Sequence, residues 1–246
     1  MTELIEVLTK DGSYSLRSVL FQENFHSVSG AFEETKIKFT NPSELNRFKN
    51  KSINALDICF GLGYNSASLI NELINLNTNL NLYALEIDKK PLAYSLKNNS
   101  FLKLWHPKIL KIFESLYLKN HFEEENFKCK IIWGDARKTI NNIPSKIDFD
   151  LIYLDGFSPQ KCPQLWTIEF LSKVIQKLKP QGYLITFSSA ASVRMTLRNL
   201  GLEIFSIKSN LKLKNSWSQG TVGIAKFTKE KLQKNLNFYK LSPMEE

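Results

Sequence analysis

The sequence has few cysteines and histidines, and their scarcity excludes several classes of protein. Among 246 residues there are three of each. Cys59, Cys129 and Cys162 are too few and too scattered for a disulfide framework, and no paired Cys or His spacing indicates a structural zinc site. We therefore expect no metal, and the reducing cytoplasm as the location.

Long apolar runs are also missing. No run approaches the roughly 20 residues that a helix needs to cross a bilayer. The first ten residues, MTELIEVLTK, have an acidic flank and lack the apolar stretch and cleavage site of a secretory signal. Hydrophobic residues make up 43% of the chain and charged residues 23%, as in ordinary globular proteins. The sequence predicts a folded chain without a membrane partner.

Acidic residues are outnumbered by basic ones. Lys and Arg total 33 against 24 Asp and Glu, a formal net charge of +9. Such a surplus favours polyanionic partners through electrostatic steering and counterion release. Simple solubility explains it equally well, so the charge adds weight only where the chemistry already indicates nucleic acid.

Short apolar segments alternate with helical patterns from about residue 53 onward. Leu171, Val174, Ile175 and Leu178 show the i, i+3, i+4, i+7 spacing of a helix that packs on a sheet. This alternation predicts an α/β fold with a doubly wound, mainly parallel sheet. Seven strands are expected, at residues 55–60, 80–87, 131–133, 150–154, 183–187, 202–207 and 221–227.

Composition divides the chain into three parts. Residues 1–50 are polar, with an Asp11-Gly12 turn signal and alternating stretches, and predict a β-rich N-terminal extension. Residues 51–228 form the α/β domain, in which residues 101–128 break the alternation and predict a helical insertion. Residues 229–246 form a polar C-terminal tail.

Two glycines follow the first strand of the α/β domain. Gly61 and Gly63 lack a Cβ, so the backbone can turn sharply and approach a ligand closely. Glu86 ends the second strand, where a carboxylate can accept hydrogen bonds from both hydroxyls of a ribose. Together these features predict a nucleoside-containing ligand at the carboxyl edge of the sheet.

An acid and a small residue, Asp135 and Ala136, follow the third strand. Such an acid can accept a hydrogen bond from an adenine amino group, or it can cap a helix. Ser66 stands where a dinucleotide-binding loop usually has a third glycine or alanine. We therefore expect a ligand that contains a nucleoside but is not a dinucleotide.

The most distinctive stretch is residues 155–167, DGFSPQKCPQLWT. Asp155 ends the fourth strand, at the edge where ligand and acceptor should meet. The ring of Phe157 offers a face that attracts cations, and Pro159 and Pro163 stiffen the loop. A simple turn would not require this apolar, proline-rich sequel, so the pattern favours a functional role for Asp155.

The combination of Gly61, Glu86 and Asp135 resembles the site of Rossmann-like S-adenosylmethionine-dependent methyltransferases. The 155–167 stretch resembles the MnmC-type methyltransferase domain, which completes 5-methylaminomethyl-2-thiouridine at the tRNA wobble position. The likeness includes TKDGS at 9–13, ENFHSVSGA at 23–31 and ITFSSAASVR at 185–194. It implies methylation of the aminomethyl group of 5-aminomethyl-2-thiouridine, with S-adenosyl-L-methionine as cofactor and the tRNA anticodon region as partner.

The strand-end positions and the resemblance together assign the site residues. Asp155 is expected to be catalytic, either as a base or as an acceptor that orients the amine. The residues expected to bind the cofactor are Asp57, Gly61, Gly63, Asn65, Glu86, Asp135, Ala136 and Asp155. The residues expected to contact the substrate are Phe157, Pro159, His26 and Arg194.

Two of these substrate residues have alternative interpretations. His26 is either a second base or a structural hydrogen-bonding residue. Arg194 either contacts tRNA phosphate or lies on a solvated helix face.

The sequence departs from the family pattern in two places. Residues 59–64, CFGLGY, differ from the usual glycine-loop sequence of the family, and Gly156 replaces a proline seen in some members. The family often carries a flavin-dependent oxidase domain, for which this chain has no segment. We therefore expect a stand-alone methyltransferase, with a separate enzyme supplying the aminomethyl intermediate.

Two other functions stay open on the sequence. One is an aminopropyltransferase resembling spermidine synthase, although Gly156-Phe157 stands where those enzymes usually have a second acid. The other is a non-catalytic RNA-binding module on a methyltransferase fold, because fold alone does not establish activity.

Overall fold

The computed structural model describes residues 3–208 and 220–226, which form two β-sheets and the helices around them. The predicted tail at 229–246 lies outside the described residues. The strands are β1 (Leu4–Leu8), β2 (Tyr14–Ser18), β3 (Glu23–Asn24), β4 (Ser52–Ile58), β5 (Asn79–Glu86), β6 (His121–Glu124), β7 (Phe127–Trp133), β8 (Phe149–Leu154), β9 (Leu178–Thr186), β10 (Leu202–Ser206) and β11 (Thr221–Ala225). The α-helices are α1 (Ala31–Thr35), α2 (Tyr64–Asn75), α3 (Lys90–Ser95), α4 (Asn99–Leu102), α5 (Pro107–Lys119), α6 (Ala136–Thr139), α7 (Ile168–Ile175) and α8 (Ala191–Asn199).

The larger sheet has the strand order β10-β11-β9-β8-β4-β5-β7-β6. β7, β5, β4, β8 and β9 run parallel to one another, whereas β6, β10 and β11 pair antiparallel. This architecture confirms the predicted Rossmann-like, doubly wound α/β fold. From β4 the chain moves first to β5 on one side and later to β8 on the other, and such a switch leaves a crevice at the carboxyl ends of the strands.

The main sheet core is apolar on both faces, as parallel strands require. In β4, Ala55, Leu56 and Ile58 are all essentially inaccessible to solvent. α7 ends at Ile175, earlier than the apolar spacing predicts. Leu178, the last residue of that spacing, is the first residue of β9. No helix among the described residues has the length and apolarity to cross a membrane.

The described part of the larger sheet has eight strands rather than the predicted seven. The additional strand, β6, lies within residues 101–128, where α4 and α5 form the predicted helical insertion. β6 pairs with β7 through a turn in which Glu125 has a left-handed backbone. Phe122 is buried while its neighbours are exposed, and Glu123 pairs with Lys128 across the hairpin. Glu123 and Glu124 thus lie on an edge strand, whereas the sequence predicted a helical insertion over these residues.

The N-terminal extension combines strands and helical turns. β1, β2 and β3 form a small antiparallel sheet. The chain then turns helical, through α1 and the irregular turns at Lys36–Thr40, Asn41–Ser43 and Leu45–Phe48. Ala31, Thr35 and Phe39 are buried at a spacing of four, so a helical segment follows the predicted N-terminal strands.

Candidate active site

A cavity of about 970 Å³ lies at the carboxyl ends of β4, β5, β7 and β8. Its wall also includes residues of the N-terminal extension, which brings segments far apart in the sequence to one place. The predicted site residues on this wall are His26, Gly61, Glu86, Asp135, Ala136, Asp155 and Phe157. The predicted residues outside the wall are Asp57, Gly63, Asn65, Pro159 and Arg194.

Glu86 ends β5 as a buried carboxylate held by backbone donors. Its Oε2 accepts a hydrogen bond of 2.8 Å from Gly61 N, and its Oε1 accepts bonds from Ile87 N and Asp88 N at 2.7 and 2.9 Å. Burial raises the pKa of Glu86, and the three N–H groups oppose that rise. A carboxylate has about four acceptor positions, so Glu86 can still accept from a ligand hydroxyl.

The glycine loop between β4 and α2 is compact. Gly61 and Gly63 have φ values of 55° and 90°, in the left-handed region that favours glycine. A Cβ on Gly63 would lie 2.4 Å from Cε2 of Phe113, so this glycine is required by packing as well as by backbone conformation. Gly61 faces the cavity and Gly63 faces the core, which separates their roles.

Asp135 follows β7 and caps a helix, one of the two roles that the sequence left open. Its side chain caps α6 by accepting from Arg137 N at 2.9 Å, and it forms an ion pair of 2.5 Å with the Arg137 guanidinium. The hydrogen bonds from Arg137 lower the pKa of Asp135, so it is a carboxylate at neutral pH. Asp135 and Ala136 also line the cavity, but Arg137 donates two hydrogen bonds to each carboxylate oxygen of Asp135, so a ligand amino group would have to replace one of them.

Asp155 follows β8 on the cavity wall. Its Oδ2 accepts a hydrogen bond of 2.7 Å from Asn65 Nδ2. Burial, followed by the nearby charge of Glu34, raises the pKa of Asp155 to about 8, and the bond from Asn65 opposes the rise. A carboxyl group with a pKa near the working pH is suited to exchange a proton with a bound amine.

Two predicted cofactor residues support the site from behind its wall. Asp57 is 1% exposed, accepts a hydrogen bond of 2.6 Å from Ser66 Oγ, and has its pKa raised to about 7 by burial. Asn65 is buried in the first turn of α2, where it holds Asp155. Ser66, the position that separated this loop from a dinucleotide motif, thus has a structural role.

Aromatic rings from the N-terminal extension cover the loop after β8. Phe21 stacks on Phe157 with ring centroids 4.6 Å apart, and Phe25 meets the same ring edge-on at 5.1 Å. Glu23 fixes this arrangement by accepting hydrogen bonds from Ser158 N at 3.0 Å and from Ser158 Oγ at 2.8 Å. The face of Phe157 that the sequence assigned to a cation is therefore partly occupied by Phe21.

His26 lines the cavity with an uncharged imidazole. Its Nδ1 lies 3.0 Å from Ser15 Oγ, and its ring packs edge-on against Tyr64 at 4.9 Å. Burial lowers the pKa of His26 to about 4, which makes it a weak base at neutral pH. These contacts favour the structural interpretation of His26 over the catalytic one.

Arg194 and Pro159 lie apart from the cavity wall. Arg194 is in α8 and donates from Nε to Thr221 Oγ1 and from Nη2 to the Gly220 carbonyl, both at 2.9 Å. These bonds tie α8 to the start of β11, so Arg194 is neither in the cavity nor on a bare solvated face. Pro159 lies in the loop after Phe157, whose own ring forms the wall.

Residues that the sequence did not single out also line the cavity. Glu34 and Lys38 form an ion pair one helical turn apart, and Glu34 accepts a hydrogen bond from Ser27 N. The i, i+4 Glu-to-Lys spacing is a helix signal that could have identified the pair. The pair was not identified because the extension was predicted to be β-rich.

The polar groups on the cavity wall suit a nucleoside-containing ligand. Glu86 offers acceptors for ribose hydroxyls, Asp135 would accept from a base amino group in place of a bond from Arg137, and Gly61 allows close approach of the backbone. Asp155 stands on the same wall, so a reacting group beside the nucleoside would reach a carboxyl group. In residues 3–208 and 220–226 no cluster of three or more His, Cys, Asp or Glu side chains could hold a metal ion.

Comparison with known proteins agrees with this geometry. The profile of a family described as S-adenosyl-L-methionine-dependent methyltransferase matches residues 97–216. The crystal structure of MNMC2 from Aquifex aeolicus superposes with a TM-score of 0.78 and 29% sequence identity, over 96% of this chain and 76% of that one.

Two sequence relatives are much longer than this chain. The uncharacterized protein MJ0670 of Methanocaldococcus jannaschii is 31% identical over 208 residues, which cover 82% of this chain and 55% of the relative. The tRNA 5-methylaminomethyl-2-thiouridine biosynthesis bifunctional protein MnmC of Campylobacter hominis is 27% identical over 196 residues, 76% of this chain and 29% of that protein. The matched region thus spans about half of the first relative and less than a third of the second.

Proposed function

We propose that this chain, an S-adenosylmethionine-dependent methyltransferase related to the MnmC methyltransferase domain, methylates 5-aminomethyl-2-thiouridine at the tRNA wobble position. The acceptor is the aminomethyl nitrogen, and the product is 5-methylaminomethyl-2-thiouridine. The observation that carries the proposal is the position of Asp155 on the wall that Glu86 and Asp135 also line. In the proposal, a carboxyl group that can exchange a proton lies in the same cavity as the residues that would bind the cofactor nucleoside.

Some of the proposed cofactor residues would contact the cofactor, and others would hold the loops around it. Glu86 would accept from the ribose hydroxyls, Asp135 from the adenine amino group, and Gly61 would allow the backbone to come close. Asp57, Gly63 and Asn65 would act indirectly, because they hold the loops that carry these groups. When bound, S-adenosylmethionine supplies a sulfonium methyl group that a neutral amine can attack.

Asp155 would prepare the acceptor amine for this attack. An alkylammonium ion has no free lone pair, so one proton must leave its nitrogen before the new C–N bond forms. The raised pKa of Asp155, about 8, lets the carboxylate accept a proton near neutral pH. S-adenosylmethionine held by Glu86 and Asp135 would supply the methyl group, with the S–CH3 electron pair left on sulfur, while Asp155 would keep the proton taken from the amine.

The chain's charge supports a tRNA substrate. Its formal net charge of +9 favours a polyanion, and the family name of the bifunctional relative specifies tRNA for that protein. All three cysteines are free thiols, in keeping with a reducing cytoplasmic location. The proposal includes a separate enzyme that forms the aminomethyl intermediate.

The decisive experiment is a methyl-transfer assay. Purified protein and labelled S-adenosylmethionine are incubated with tRNA that carries 5-aminomethyl-2-thiouridine, and with matched tRNA that lacks the side arm. Label should enter the aminomethyl tRNA alone. Asp155→Ala should abolish transfer, and Asp148→Ala, outside the cavity wall, serves as the matched control. Donor binding without transfer to the aminomethyl tRNA would overturn the substrate assignment.

A further inference from the structure

The Glu34–Lys38 ion pair is partly buried on the cavity wall. Glu34 lies in α1 and Lys38 in the helical turn that follows, and both side chains line the cavity with Asp155. Their side chains are 15% and 18% exposed. By contrast, the surface pair Lys128–Glu123 is more than 60% exposed on both sides. Water screens the charges of an enclosed pair less than those of a surface pair.

The pair is held in place from two sides. Glu34 Oε2 accepts a hydrogen bond from Ser27 N, and Glu34 Oε1 accepts one from Lys38 Nζ. Lys38 Nζ also lies 5.9 Å from the ring centroid of Phe187, another residue of the wall. Each carboxylate oxygen can accept two hydrogen bonds, and an ammonium group has three protons to donate. The pair therefore presents one fixed acceptor beside one fixed donor to the cavity.

The pair lies close to the proposed reacting end of the cavity. Glu34 is, after burial, the main cause of the raised pKa of Asp155, and Lys38 opposes it. Both charges also act on His26. Glu86, Asp135 and the glycine loop are assigned to the cofactor nucleoside, and Glu34 and Lys38 are cavity residues outside that set.

An adjacent acceptor and donor match the edge of a uracil ring. Uracil presents N3–H as a donor and O4 as a neighbouring acceptor, and its C5 substituent is adjacent to C4. Cytosine presents the reverse pattern, with N3 as acceptor and the 4-amino group as donor. Proteins read unpaired RNA bases through hydrogen bonds to this edge.

On this basis we infer that Glu34 and Lys38 recognise the wobble base as a uracil, Glu34 by accepting from N3–H and Lys38 by donating to O4. This inference rests on the proposed function and extends it from the reacting amine to the base that carries it. The two residues determine specificity, and Asp155 remains the group that meets the amine.

The test compares two synthetic anticodon stem-loops that differ in one base. One carries 5-aminomethyl-2-thiouridine at the wobble position, and the other carries 5-aminomethylcytidine with the same side arm. The measured quantity is the ratio of kcat/KM between them. The wild-type protein should prefer the uridine stem-loop, because the cytidine edge would place donor against Lys38 and acceptor against Glu34.

Glu34→Gln and Lys38→Met should each lower this ratio by about tenfold or more, the effect of losing one hydrogen bond to a charged group. Glu33→Gln and Lys36→Met are matched controls, since neither residue lines the cavity and Lys36 lies over the Phe32 ring. Both controls should keep the wild-type ratio. S-adenosylmethionine affinity should stay unchanged in all four variants, which shows that each of them is folded.

The outcomes separate the two levels of the proposal. If transfer to the uridine stem-loop occurs but the ratio is the same in Glu34→Gln, Lys38→Met and the wild type, base recognition by this pair is wrong and the proposed function stands. If the wild-type protein binds the donor and methylates neither stem-loop, the proposed function fails and the inference fails with it.

Discussion

Asn65 and Asp155 are joined by a hydrogen bond of 2.7 Å from Nδ2 to Oδ2, although they are 90 positions apart in the chain. Asn65 lies in the first turn of α2, and Asp155 follows β8. The bond stabilises the ionised form of Asp155 against burial and the charge of Glu34. The amide therefore adjusts the proton affinity of the proposed catalytic group.

Replacing this amide should shift the pH dependence of methyl transfer. In Asn65→Leu the pKa of Asp155 should rise further above its ordinary value, so the ascending limb of kcat/KM against pH should move to higher pH. Ser68→Ala is the matched control, because Ser68 lies in the same helix and bonds to Thr40 Oγ1. An ascending limb that stays in place in Asn65→Leu would show that Asp155 is not the titrating group.

Glu86→Gln should weaken donor binding. The substitution removes the charge and one acceptor oxygen from a site that already receives three backbone N–H groups. Loss of a hydrogen bond to a charged group corresponds to about 10- to 100-fold in the dissociation constant for S-adenosylmethionine, measured by titration calorimetry. Glu124→Gln, in an exposed ion pair with Lys111, should bind the donor as the wild type does. Equal affinities in the two variants would contradict the assignment of Glu86.

Asp57→Asn should change the pH dependence of stability. The folded pKa of Asp57, about 7, exceeds its ordinary value of 3.8, so the folded state binds the extra proton between these limits. Its contribution to stability is fully present below pH 3.8 and is lost as the pH rises to about 7, at up to about 1.4 kcal/mol per pH unit. Urea unfolding from pH 4 to 8 should therefore show a smaller decline in the variant than in the wild type. Glu123→Gln, on the surface, should leave the decline unchanged; an equal decline in Asp57→Asn would refute the raised pKa.

His26→Gln should affect stability at acid pH and leave the pH profile of catalysis in place. The pKa of His26 is lowered to about 4, so the unfolded chain binds more protons between pH 4 and 6.5, and stability is lost as the pH falls through this range. The variant should lose less stability on acidification, as measured by thermal melting. It should also keep the ascending limb of kcat/KM that Asp155 sets. A shift of that limb would identify His26 as the base instead.

Much of the fold was readable from local patterns. The alternation of apolar strands and amphipathic helices from residue 53 onward identified the doubly wound sheet, because each strand and helix must bury one apolar face. The pattern was less informative where pairing partners decide the structure. β6 has one buried side chain, Phe122, and becomes a strand because β7 supplies its hydrogen bonds.

The candidate site was readable where a residue's role follows from its place at a strand end. Glu86 ends a parallel strand, Asp135 and Asp155 come after two others, and parallel strands bring their carboxyl ends to one edge. Residues contributed by the N-terminal extension were not readable in this way. Glu34 and Lys38 reach the cavity through a helical segment that a β-rich interpretation did not contain.

The sequence by itself determined the sheet, the glycine loop and the acids at the strand ends, because these depend on local spacing and on the geometry of parallel strands. The tertiary structure decided which side chains share the cavity and how they titrate. It placed Phe21 on Phe157, bonded Asn65 to Asp155, and bonded Arg194 of α8 to Thr221 at the start of β11. Burial and neighbouring charge depend on contacts between distant segments, and no local pattern records those contacts.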